Sequence, residues 1–149
     1  MRFLRVIYVV AIAVVLVLLV IAGVEAFYPA PQYPEYPERP PPYDSPEYEE
    51  WEQEWMEVQA EYQQEATIHD KNMFFIVLPL GLLFAVGGTF IQRRVNIFGA
   101  GLILGGLGTM IYAITPYDLD NILRFAGIAA TLAVLVFVGY KVFLPLRTR

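Results

Sequence analysis

Residues 73–91 read MFFIVLPLGLLFAVGGTFI, residues 92–94 read QRR, and residues 95–115 read VNIFGAGLILGGLGTMIYAIT. A hydrocarbon core about 30 Å thick needs roughly 20 helical residues to cross it. The two uncharged runs, Met73 to Ile91 and Val95 to Thr115, are 19 and 21 residues long. With three polar residues between them they predict an antiparallel pair of membrane helices joined by a tight turn. Two further runs have the same character: Val6 to Val24, and Ile122 to Leu144, whose Arg124 and Lys141 each lie within three residues of an end. The fold expected is therefore all-α and polytopic.

The whole chain supports that reading. Of 149 residues, 57% are hydrophobic and 17% charged, and the mean hydropathy is +0.50. A soluble domain carries about a quarter charged residues.

The charges are sorted by side. Four crossings place both termini and the Arg93-Arg94 turn together, and that side holds Arg2, Arg5, Arg93, Arg94, Lys141, Arg147 and Arg149 with no acid. All fifteen acids fall on the other side, with Arg39, Lys71 and Arg124. Because short loops rich in Lys and Arg stay in the cytoplasm, both termini are expected inside. Residues 25–72 and 116–121 are then extracytoplasmic.

Residues 1–26 form an anchor helix on this reading. Met1-Arg2-Phe3-Leu4-Arg5 and Val24-Glu25-Ala26 also resemble the two ends of a signal peptide. The apolar run exceeds the roughly 7–15 residues of a cleaved one, which favours an uncleaved signal anchor. Residues 27–46 are a different polymer. Eight of the eleven prolines lie between Pro29 and Pro46, interleaved with Tyr28, Tyr33, Tyr36 and Tyr43. Proline fixes φ and extends its predecessor, so a stiff polyproline-like linker or docking strip is expected. Pro40-Pro41-Pro42-Tyr43 matches the short WW-domain ligand pattern, a location outside the cell being unsuited to it.

Residues 47–71 return to helix. Asp44 or Ser45 can cap it, Pro46 suits its first turn, and Glu47, Glu49 and Glu50 complement the dipole. Tyr48, Trp51, Trp55, Val58 and Tyr62 recur in steps of three and four, an amphipathic seam. It needs a cover: the membrane boundary, a neighbouring copy, or another protein. Trp and Tyr suit the boundary, but surface-lying helices are usually basic, so a protein partner is favoured and these five residues are the candidate binding surface.

Residues 72–149 form a three-helix membrane bundle on this reading. Gly81, Ala85 and Gly88 fall on one helical face, as do Gly101, Gly105 and Gly108, with Gly99 and Gly106 alongside. Small residues let backbones approach where lipid removes the hydrophobic drive to associate. The two stripes are expected to meet each other. Asp120 and Arg124 are spaced as an ion pair at the start of the last helix.

Chemistry is excluded more than indicated. Without cysteine there are no disulfides or thiolate sites, and one histidine cannot build a multi-histidine centre. The only serine is Ser45, so no Ser-His-Asp set exists. No acid or histidine lies inside a span, where proton relays and cation sites need them. No phosphate loop follows a strand, and the arginines are too few for nucleic acid. No cofactor is expected: a cofactor-holding subunit is a third, weaker reading, with His69, Met56, Met73 and Met110 as its candidate axial ligands. The expected role is non-catalytic, an accessory or scaffold subunit contacting the bilayer and other membrane subunits or copies of itself. The alternative is a small self-associating channel or transporter-like protein.

Overall fold

In a computed structural model the described residues are 2–35 and 40–143. They are all-helical, with no strand among them. Four helices follow in order: α1 (Arg2–Phe27), α2 (Pro46–Gln92), α3 (Asn96–Ala113) and α4 (Asn121–Phe143). All four are long and apolar enough to cross a membrane. Tyr36, Arg39 and the tail carrying Arg147 and Arg149 lie outside the described residues.

The largest departure from the sequence reading is α2. An acidic helix ending near residue 71 and a separate span beginning at 72 were expected; the structure joins them into one uninterrupted helix of 47 residues. At 1.5 Å per residue that is about 70 Å, of which roughly 30 Å is the apolar half. Neither proline nor glycine occurs between Glu47 and Leu78, so nothing in the covalent chain breaks the hydrogen-bond ladder there. Pro79 lies inside the helix without ending it. At the start, Ser45 occupies the cap position but does not cap. Its hydroxyl instead donates to the Pro42 carbonyl at 2.8 Å, which closes the turn into α2.

α3 is the central element and packs against α1, α2 and α4, while α4 also touches α2. Two buried clusters hold the bundle. One joins Ala85 of α2, Ile103 and Met110 of α3, and Val134 and Val138 of α4. The other joins Val20 of α1, Met73 and Val77 of α2, and Ala113 of α3. The outward faces carry exposed large apolar side chains such as Phe75, Leu83, Leu104 and Phe125, the arrangement lipid favours.

The glycine stripes do not meet each other. Gly81 faces Gly106 and Met110 of α3, and Gly88 faces Gly99 and Ile103. Gly101, Gly105 and Gly108 instead face Ile12, Leu16 and Val17 of α1. The reason is angular. Gly99 and Gly101 are two residues apart, about 200° around a helix, so they look in opposite directions. α3 thus presents small residues on two sides and is gripped from both. On the α2 side the neighbours are backbone: a Cβ at Gly106 would collide with the Ala85 nitrogen and lie 2.6 Å from the Gly81 carbonyl oxygen. On the α1 side they are largely side chains: a Cβ at Gly105 would lie 2.7 Å from Leu16 Cδ2, and one at Gly108 3.0 Å from Val17 Cγ2.

Hydroxyls within the spans turn back onto their own helices. Thr109 donates to the Gly105 carbonyl at 2.9 Å, Thr131 to Gly127 at 2.7 Å, and Thr89 to Val86 at 2.6 Å. These bonds satisfy the polar groups locally.

The asymmetry between the two faces of α3 sets a testable order. Gly106→Ala is expected to cost about 2–3 kcal/mol by overpacking against backbone, and Gly108→Ala well under about 1 kcal/mol. Gly139→Ala, which meets nothing within 4 Å, is expected to be neutral. Thermal unfolding in detergent checks the series; equal losses at Gly106 and Gly108 would contradict the packing.

Candidate functional site

The half of α2 that leaves the bundle carries Glu47, Glu49, Glu50, Glu52, Glu54, Glu57, Glu61 and Glu65, all exposed. Along it lies the seam. Tyr48, Trp51, Trp55 and Tyr62 are half-buried, and Val58 is 42% exposed. The sequence offers the membrane boundary, a copy, another protein or the chain's own helical bundle as what the seam packs against. The structure shows that the chain's own Pro/Tyr segment covers part of it.

The described residues of that segment, 28–35 and 40–45, meet α2 in antiparallel order and form a strap along it. Tyr28 meets His69 at the foot, with ring centroids 4.7 Å apart and planes 4° from parallel. Tyr33 meets Tyr62 edge-on at 5.0 Å, seven residues higher on the helix. Pro34 and Glu35 share a small cleft with Trp51, Trp55 and Val58. Tyr43 meets Tyr48 at 4.5 Å near the top. The seam is continuous within itself too: Tyr48 to Trp51 is 5.6 Å, and Trp51 to Trp55 is 6.5 Å with parallel rings. Each aromatic pair adds about 0.5–1.5 kcal/mol beyond the area it buries. Prolines lower the entropy lost when the strap settles. In the strap Tyr33 stays 63% and Tyr43 83% exposed, and in the seam Val58 stays 42% exposed. The stalk is therefore a composite of helix and strap, with aromatic edges showing between glutamates.

The foot of the strap is its most constrained point. His69 is buried, at 8% exposure. Its Nε2 lies 3.1 Å from the Tyr28 carbonyl oxygen. A carbonyl only accepts, so this contact is a hydrogen bond with Nε2–H as the donor. Nδ1 lies 3.4 Å from Asp70 Oδ1, also an acceptor, so the two ring nitrogens face one acceptor each. Asn72 Nδ2 donates to the Tyr28 hydroxyl at 2.9 Å. Tyr28 is thus held by its ring, its carbonyl and its hydroxyl at once. This role for His69 was not foreseen; its one signal was a histidine four residues before Met73, where the uncharged run begins.

Beside this node a cavity of about 310 Å³ opens where the end of α1, the strap, the middle of α2 and the end of α3 converge. Its floor is apolar, from Val24, Met73 and Pro116. Among the described residues no group of three His, Asp or Glu side chains is placed to hold a metal ion.

The α3–α4 connection departs from expectation in one respect. Asp120 Oδ1 accepts from the Ile122 amide at 3.3 Å and so caps α4. The Arg124 guanidinium does not pair with it; Nη2 donates to the carbonyls of Pro116 at 2.8 Å and Tyr117 at 3.3 Å. Those carbonyls lie past the end of α3, where no helical donor reaches them. The arginine's fork supplies the missing bonds, and its Nε is buried without a partner.

The foot generates a prediction. His69→Ala removes a donor and a stacked ring, and is expected to loosen the strap by about 1–2 kcal/mol, or roughly tenfold faster hydrogen exchange at the Tyr28 amide. His69→Gln, which keeps a donor, is expected to recover part of that protection. Exchange unchanged by His69→Ala would contradict the anchoring role. Compared with known proteins, the chain matches no family model, no curated protein and no solved structure.

Proposed function

We propose that this chain is a non-catalytic subunit of a membrane assembly, anchored by four spans and holding an acidic aromatic stalk outside the cell for a partner. The observation that carries this is the continuity of α2 from the bundle into the acid-clad segment. A helix that is rigid from bilayer to tip transmits position: whatever binds the stalk is held at a fixed height and azimuth above the bundle. Aromatics half-covered by the strap, ringed by exposed glutamates, suit a protein surface that brings apolar pockets and basic residues. Other membrane subunits or a second copy of the chain are the partners proposed.

The orientation proposed follows the charges: termini and Arg93-Arg94 in the cytoplasm, the stalk and the α3–α4 loop outside. α1 is proposed to be retained as a signal anchor, because Ile12, Leu16 and Val17 fill the groove over Gly101, Gly105 and Gly108. Cleavage would empty that groove. The backbone-bonded threonines of the spans and the scarcity of ionisable residues inside them favour a structural bundle over a conducting one.

Mild extraction from native membranes, with recovery of bound proteins, tests the proposal. Trp51→Ala with Trp55→Ala is expected to lower recovery of the stalk's partner at least about tenfold while membrane insertion stays unchanged. Undiminished recovery would remove the stalk from the partner surface. Labelling of intact cells is expected to reach a cysteine placed at Glu57 and not one at Arg93; the reverse pattern would invert the orientation.

A further inference from the structure

We propose that the cavity at the foot of the strap binds an organic ammonium group. The site is independent of the stalk's partner. Its lining combines two carboxylate residues, Glu25 at the end of α1 and Asp70 on α2, with Tyr28 and Tyr112. None of the described residues lining it is lysine or arginine. The one group there able to carry positive charge is His69, whose two ring nitrogens already face the Tyr28 carbonyl at 3.1 Å and Asp70 Oδ1 at 3.4 Å, which leaves Glu25 as the carboxylate without such a neighbour. An anion would face two carboxylates with no free cation to receive it.

The character of the cation follows from the rest of the wall. A metal ion needs a shell of six or more oxygens or a set of three protein ligands, and no such set exists among the described residues. Apolar floor, aromatic rings and a few carboxylates are instead the surroundings that hold alkylammonium groups. At about 310 Å³ the space lies at the small end of ligand sites, enough for an ethanolamine- or choline-sized group and a short tail. The cavity also sits where the apolar half of α2 gives way to the acidic half, between Asp70 and Met73. That level corresponds to lipid head groups. Two sources share this chemistry: the head group of an amine-bearing lipid, and a free soluble amine.

The test uses the full chain, its mass verified, in non-ionic detergent. Choline is expected to bind saturably by calorimetry, and its uncharged isostere 3,3-dimethylbutanol at least about tenfold more weakly, because only charge separates them. Glu25→Gln with Asp70→Asn is expected to weaken choline about tenfold or more with the unfolding temperature retained; each single variant, Glu25→Gln or Asp70→Asn, guards against loss of fold in the pair. In nanodiscs of phosphatidylglycerol alone the same choline binding is expected. If added phosphatidylethanolamine suppresses it, the ligand is a lipid head group; if not, it is a soluble amine, and either result supports an ammonium site. Absence of saturable choline binding in both detergent and phosphatidylglycerol, equal binding of the isostere, or binding unchanged in folded carboxylate variants would overturn the proposal.

Discussion

Inside hydrocarbon every backbone N–H and C=O must be bonded within its own helix, because no water is there to receive it. α2 carries that internal ladder on, without interruption, for about 40 Å beyond its apolar half. Everything distinctive about the polar end follows. A helix in water that keeps a row of Tyr, Trp and Val along one side exposes apolar area that must be removed from solvent. The described residues of the chain's own preceding segment do this, lying along the row and then turning at Tyr43-Asp44 into the helix. Prolines make that segment stiff, tyrosines give it flat faces to set against the seam, and His69 ties its lower end.

The bundle solves a second problem by a related device. With lipid tails as apolar as leucine, helices associate only where they fit closely. α3 fits on two sides because its glycines are placed on opposite faces, one set for α2 and the other for α1. This ties the N-terminal helix to the hairpin rather than leaving it as a detached anchor. The strap therefore begins from a fixed point, the end of α1, and finishes at another, the start of α2.

Much of this was legible in the sequence. The four charge-free runs announced four long apolar helices, and the three-and-four spacing from Tyr48 to Tyr62 announced the seam. The continuity of α2 was missed because Thr67 to Asn72 is polar and looks like a helix end, yet the absence of any glycine or proline from Glu47 to Leu78 was the signal against a break. The pairing of the glycine stripes was misjudged by comparing spacings within each stripe, whereas the angle between Gly99 and Gly101 already separates two faces. The strap could not be read at all from periodicity, since an extended segment and an α-helix advance at different rates per residue, and no fixed spacing links Tyr28 to His69 or Tyr33 to Tyr62. Arg124 illustrates the same limit: i, i+4 spacing names Asp120, but two unbonded carbonyls of the preceding loop compete for the guanidinium and win.

The seam's self-cover is the claim on which the stalk depends, and the absence of native cysteine makes it directly measurable. A cysteine at Tyr33 and a second at Tyr62, treated with a short bismaleimide on the full chain in membranes, should link within one chain in high yield. Moving the second cysteine from Tyr62 to Tyr48, about 21 Å along the helix, should abolish the link. Equal linking of both pairs, or none in the first, would show that the strap does not lie along α2 as described.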